Sequence, residues 1–163
     1  MWKMLRFVAA LLALMLSACA TVDPNIKYYE PSPGTTSENG ATIIGSRVPQ
    51  SFPLDDQTAY ILGISGVPIR GGKAAFAEPV VLAPGAHRVA IAWTQGSLFG
   101  STTVQLNVKA GDQFVIKHQR VEKEVARIWL EETKTNTGIG EAIFVRISVE
   151  SGGFIPIYIP RGR

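Results

Sequence analysis

Few residues in this chain can act as a nucleophile, a base or a metal ligand, and each of them has different neighbours in the sequence. The 163 residues include one cysteine, Cys19, and two histidines, His87 and His118. A thiolate is a nucleophile and a metal ligand, and an imidazole acts as a base or a metal ligand near neutral pH. The neighbouring residues therefore decide which of these roles the chain supports.

Neither histidine is predicted to be catalytic. His87 follows a Pro-Gly turn and alternates with apolar residues, so we expect it to be held by a hydrogen bond inside the fold. His118 stands near Lys117 and Arg120, whose positive charges disfavour the imidazolium form and make it a poor base.

Other catalytic, metal and phosphate signatures are missing from the sequence. Ser65 lacks the Gly-x-Ser-x-Gly spacing of a nucleophile elbow, and Gly71 to Lys73 lacks the rest of a P-loop. The adjacent Asp55 and Asp56 are expected to be solvated loop residues. No His-x-x-x-His pair or acidic cage is spaced for a metal. The sequence predicts no enzyme activity, cofactor, metal or small-molecule ligand.

Cys19 stands at the end of a segment typical of secretion. Lys3 and Arg6 precede an apolar run from residue 7 to residue 16, and Leu16 to Cys19 has the small residues of a cleavage site. This ending resembles the lipobox of bacterial lipoproteins. The resemblance implies a signal peptide over residues 1–18, lipidation of Cys19 and, because Ala20 follows, an outer-membrane anchor facing the periplasm. An ordinary signal peptide with a chance cysteine is the alternative.

The charge balance argues against a nucleic-acid partner. The whole chain has 16 basic and 13 acidic residues, a net charge of +3. Removal of residues 1–18 takes away Lys3 and Arg6 and leaves a difference of only one. Nucleic-acid binding needs a clear basic excess, so the membrane, reached through the lipid, and an envelope protein are the expected partners.

Residues 19–40 are predicted to be the lipidated cysteine and a flexible linker, because prolines, glycines and small polar residues cannot bury enough surface to order a chain. Tyr28 and Tyr29 are exceptions. They are either incidental aromatic residues of the tether or side chains that dock on the domain or at the membrane interface.

Residues 41–160 read as one β domain of about 120 residues. Short runs rich in β-branched residues alternate with turns. Predicted strands cover residues 42–48, 59–64, 67–69, 79–82, 87–93, 103–108, 113–118, 125–130 and 142–149. Gly96, Ser97 and Gly100 are read as breaks, and 133–140 as a loop. A helix over 121–132 is the one helical alternative, which its β-branched and aromatic residues disfavour. We therefore predict a single antiparallel β-sandwich of seven or eight short strands.

Two phrases carry a resemblance to a family. Residues 81–89 contain a Pro-Gly turn before a strand, and residues 110–114 an Ala-Gly-x-x-Phe turn before another. Both resemble small bacterial envelope lipoproteins with PEGA-like or transthyretin-like β-sandwich domains. The resemblance covers roughly residues 41–132 and implies a fold and an envelope setting, with no catalytic residues.

Two segments are candidates for contact with a partner. The first is the loop that contains Trp93, Leu98 and Phe99. The second is the apolar, proline-punctuated C-terminal segment with Phe154 and Tyr158. The latter is either a final edge strand packed on the core or a recognition tail, and residues 161–163 are expected to be disordered. The sequence thus favours a membrane-anchored, non-catalytic structural or binding module. The alternatives are an accessory subunit of a secretion or transport assembly and, less favoured, a periplasmic hydrolase.

Overall fold

The computed structural model describes residues 26–51 and 56–149 and confirms the all-β class. Two β-sheets pack face to face, and one short 3-10 helix, Gly72–Ala75, lies between strands. The predicted signal peptide, Cys19 and the C-terminal residues 150–163 lie outside the described residues. The strands are β1 Ala41–Ile44, β2 Ser46–Val48, β3 Gln57–Ile64, β4 Val67–Pro68, β5 Val80–Leu82, β6 Gly85–Gln95, β7 Leu98–Val108, β8 Gln113–Glu122, β9 Val125–Glu132, β10 Thr137–Arg146 and β11 Ser148–Val149.

The strand order shows how the sandwich is built. The first sheet has the order β10-β9-β8-β1-β5, and the second has the order β11-β7-β6-β3-β2, with β4 added to β3. The described residues form eleven strands, more than predicted, and β1 runs parallel to β8, so the sandwich is not wholly antiparallel. The additional strands arise because short segments switch sheets, which a local pattern of alternation does not reveal.

Gly45 divides what the sequence suggested was one strand. β1 belongs to the first sheet and β2 to the second, so the chain crosses between the sheets at this residue. The Gly45 N–H donates to the carbonyl of Phe76 at 2.7 Å. A Cβ atom at Gly45 would press on the carbonyl oxygen of Ala59 and lie 2.6 Å from that of Phe76. Only glycine fits this crossover.

The hairpin of β6 and β7 shows the predicted alternation up to Ile91, after which Ala92, Trp93 and Thr94 are all buried. Val89, Ile91 and Trp93 are completely buried in the core, while Arg88 is exposed. Gly96, with φ of +57°, begins the two-residue turn. Gly100 does not break the strand as expected. It lies inside β7, where a Cβ would be 2.9 Å from Val145 Cγ1.

Residues 113–146 form two hairpins and contain no helix. Residues 121–132 form the end of β8, a turn and β9, as the β-branched content favoured. The predicted loop over 133–140 is too long, because β10 starts at Thr137. The register of β10 against β9 shifts between Ile139 and Ile143, and Gly140 has φ of +71°. This irregularity hid the strand from a period-two pattern.

Two predicted turns are present as expected. Ser65 and Gly66 both have positive φ and join β3 to β4, as a two-residue hairpin requires. Before β8, Gly111 has φ of +79°, and the Asp112 carboxylate accepts a hydrogen bond from the Lys109 N–H at 2.7 Å. Phe114 then enters the core with 4% exposure.

The tyrosines of the predicted linker dock on the domain. The Tyr29 N–H donates to the carbonyl of Pro68 at 2.8 Å, and its hydroxyl donates to the carbonyl of Val81 at 3.0 Å. The Arg70 guanidinium lies 5.1 Å from the centre of the Tyr28 ring. The structure therefore agrees with the second alternative, in which these tyrosines dock on the domain. Residues before Ala41 are thus part of the packed domain.

Candidate functional site

A groove opens on the side of the sandwich where β7 and β10 are the outer strands. It has a volume of about 220 Å³. Its floor consists of core side chains from both sheets, including Ile91, Leu106 and Ile128, and Thr103, Gln105 and Glu141 stand at its rim. The groove thus combines apolar side chains in its floor with polar groups at its mouth, in a volume smaller than that of most small-molecule pockets.

The irregularity in β10 explains why the groove exists. At one end, Val145 and Arg146 approach Gly100 of β7 closely enough to leave no room for a side chain. Toward the start of β10, the register shift and the positive φ of Gly140 displace the strand from regular pairing. The inner faces of the two sheets are therefore left uncovered beside β7, and the groove is closed at the Gly100 end.

Along most of the groove, the outer edge of β7 pairs with no other strand of the described residues. β11 pairs with β7 only at Leu98 and Phe99, so residues 101–108 have no strand on that side within the described part of the chain. Proteins normally protect such an edge with charges, proline or short length. β7 has eleven residues and neither a charge nor a proline. By contrast, the edge strands β2 and β5 have three residues each.

The predicted contact residues fall into three groups. Trp93 is completely buried, so its prediction as an exposed partner contact is wrong. It lies on the inner face of β6, where the period of the strand places it against the core. Leu98 and Phe99 are half-buried in β7 and pair with β11. Phe154 and Tyr158 lie outside the described residues.

Sequence reasoning did not find the residues that line the groove. Thr103 and Gln105 were assigned only to a solvent face, Ile139 was placed in a loop, and Glu141 was assigned to no element. They are more than thirty residues apart in the chain, and only the pairing of both sheets brings them together. The one local signal was the absence of charge along β7.

His87 has the structural role expected of it. Its Nε2 donates to the carbonyl of Ala83, 2.6 Å away, across the turn that precedes β6. This bond fixes the entry into the strand.

His118 is buried between the sheets, and burial is the reason for its altered basicity. Its Nδ1 is 3.0 Å from the hydroxyl of Ser46, while Nε2 is buried without a well-formed hydrogen bond. Burial lowers the pKa of His118, and the backbone of Gln57 opposes this shift to a smaller degree. The cationic neighbours invoked from the sequence are not among the causes. Neither Ser46 nor His118 lines the groove.

The lowered pKa of His118 predicts a pH-dependent stability. The folded chain holds this imidazole neutral, so the unfolded chain binds an extra proton below about pH 6.5. The contribution is fully present above that pH and is lost as the pH falls. We expect the free energy of unfolding, measured with denaturant between pH 5 and 7.5, to decrease toward pH 5. The slope should flatten in His118→Gln and persist in His87→Gln. An unchanged slope in His118→Gln would assign the effect to another group.

Asp56 corrects a second expectation, because it is buried rather than solvated. Its carboxylate accepts hydrogen bonds from the Gln50 N–H at 2.8 Å and from the Arg47 guanidinium. The hydrogen bond from Gln50 and the neighbouring Arg47 lower the pKa of Asp56. The pair holds the segment after β2 against the start of β3. Asp55 lies outside the described residues.

Within residues 26–51 and 56–149, no three His, Asp or Glu side chains come together as a metal site. No helix in that part of the chain is long and apolar enough to cross a membrane.

Comparisons of the chain with protein-family models, with curated proteins and with solved structures found no match. The residues and their geometry are therefore the basis of the functional inference.

Proposed function

We propose that this protein is a lipid-anchored component of the bacterial cell envelope that binds a partner protein and catalyses no reaction. The lipobox-like ending at Cys19 supports the anchor, and Ala20 after it supports an outer-membrane location facing the periplasm. The resemblance to small envelope lipoproteins agrees with this assignment.

The docked tyrosines shorten the tether that the proposal requires. Only eight residues separate Cys19 from Tyr28, and an extended chain from one to the other spans at most about 32 Å. Since Tyr29 is hydrogen-bonded to Pro68 and Val81, the part of the domain that carries β4 and β5 would stay near the lipid surface. The lipid would thus set the orientation of the domain as well as its location.

The observation that carries the binding function is the free edge of β7 beside an apolar groove. An extended polypeptide can pair with backbone groups of residues 101–108 and place alternate side chains over the groove floor. This is β-strand addition, in which main-chain hydrogen bonds give affinity and pockets give specificity. The same surface would serve an accessory subunit that docks on a larger envelope assembly. A hydrolase is less favoured, because neither histidine lines the groove.

The anchor is tested by Cys19→Ser. Acylation needs the sulfur atom, so the variant should leave the membrane fraction or accumulate with its signal peptide, and labelled fatty acid should not be incorporated. Density-gradient fractionation of the unaltered chain should place it with the outer membrane. Equal membrane partitioning and equal mass of the variant would contradict the proposal.

The binding site is tested by a photo-activated cross-linking residue at Gln105, at the rim of the groove. In intact membranes it should capture a discrete protein. The same probe at Val48, which is 42% exposed on the opposite edge strand β2, is the matched control. Absence of any Gln105-specific product would remove the groove as the binding site.

A further inference from the structure

We infer that the groove takes the C-terminal segment of a second copy of this chain. The inference rests on the proposed function, because it names the partner for the same groove. Residues 150–163 lie outside the described structure, which ends at Val149 in β11, beside β7.

The chemistry of the segment fits the groove. Residues 154–160 are Phe-Ile-Pro-Ile-Tyr-Ile-Pro, without a charge, and Arg161 and Arg163 follow. The floor of the groove is apolar, and Glu141 is the only charged residue that lines it. An apolar stretch followed by two arginines therefore complements a groove that has an apolar floor and one carboxylate at its rim. The segment has no acidic residue after Glu150 that would repel Glu141.

The spacing of the prolines fits strand addition. Pro156 and Pro160 are four residues apart, so in an extended segment their missing N–H groups face the same side. The opposite side then keeps the donors of Ile155, Ile157 and Ile159 for the free edge of β7. The side chains of these three residues share one face, and that face would lie over the groove floor.

The direction of β11 favours a second copy over the same copy. β11 runs antiparallel to β7, and Val149 pairs with Leu98, so the chain leaves toward the Gly96 turn and away from its own groove. Thr103 is five residues, or about 17 Å, further along β7 in the other direction. The chain from Val149 to Phe154 spans at most about 18 Å without any reversal. A reversal uses part of that length, so Phe154 does not reach the chain's own groove, and Ile157 and Ile159 would reach it only after the chain turned back. The groove of a second copy can be engaged without a reversal.

Membrane anchoring would promote such pairing, because it confines copies of the protein to one surface and raises their effective concentration. Two copies that exchange segments reciprocally occupy both β7 edges. The assembly is then closed, and no free edge of β7 remains for further growth.

The experiment uses two differently tagged full-length copies, one with Gln105→Cys or Thr103→Cys and the other with Tyr158→Cys. No other free thiol competes, since Cys19 is the only cysteine and is acylated under the proposed function. Disulfide formation in the oxidising envelope should join the two tagged chains. Val48→Cys, on the opposite edge of the same sheet, should give no such product.

A second pair of variants tests the charge match. Glu141→Arg should reduce the yield of the interchain disulfide about threefold, as expected for one exposed ion pair. Arg161→Glu combined with Arg163→Glu should restore that yield in the Glu141→Arg background. Loss of the product without this restoration would contradict the charge match and overturn the inference.

The remaining outcomes separate the inference from the proposed function. A disulfide that forms only within one chain carrying both Gln105→Cys and Tyr158→Cys would overturn the second copy in favour of the same chain. No disulfide, together with capture of a different envelope protein from Gln105, would overturn the inference and leave the proposed function standing. No disulfide and no capture would overturn both.

Discussion

Replacing Trp93 with Ala should lower the free energy of unfolding by about 3–5 kcal/mol. The side chain is completely buried between the two sheets, where its removal leaves a cavity that the surrounding core cannot close. Since a single domain is stable by only about 5–15 kcal/mol, the variant should lose a large part of that stability. Denaturant unfolding of the chain that begins at Ala20 measures the loss.

Two controls make the Trp93 result specific. Thr103→Ala, on the exposed face of β7, should change the free energy of unfolding by no more than about 0.5 kcal/mol. Trp93→Phe should cost much less than Trp93→Ala, because it keeps most of the apolar volume and removes an indole N–H that is buried without a partner. Similar losses in Thr103→Ala and Trp93→Ala would mean that the assigned faces of β6 and β7 are wrong.

Replacing Gly45 with Ala should destabilise the fold by about 3 kcal/mol, although it adds a single methyl group. The new Cβ would meet the carbonyl oxygens of Ala59 and Phe76, and both belong to the backbone, which cannot turn aside as a side chain can. The hydrogen bond from the Gly45 N–H to Phe76 would be strained by the same displacement. Thermal and denaturant unfolding should both show the loss.

Gly138→Ala is the matched control for Gly45→Ala. Gly138 is the second residue of β10, and its nearest neighbours would be 3.8 Å and 4.0 Å from a new Cβ, an ordinary contact distance. Its substitution should therefore change stability by no more than about 0.5 kcal/mol. If Gly45→Ala were equally mild, the crossover between the sheets would not require glycine.

The sequence alone was sufficient to predict those strands and turns that depend on interactions between residues close together in the chain. In β7 and in β6 up to Ile91 the alternation of apolar and polar residues has the period of a strand, and the buried face agrees with it. Gly66 and Gly111 occupy positive φ angles at predicted turns. The interpretation of Trp93 as a partner contact was wrong. It was based on an aromatic residue close to a turn, whereas the period of the strand placed this residue in the core.

Only the tertiary structure decided which segments meet. Gly45 sends β1 and β2 to different sheets, the pairing of β1 with β8 is parallel, and Asp56 is buried because Arg47 and Gln50 lie next to it. The groove likewise needs residues of β7 and β10 that are distant in sequence. The all-β class was predictable because backbone preference and side-chain period act within a few residues. Sheet membership, buried polar pairs and the groove depend on contacts between distant segments, whose energies have no signature in the local pattern.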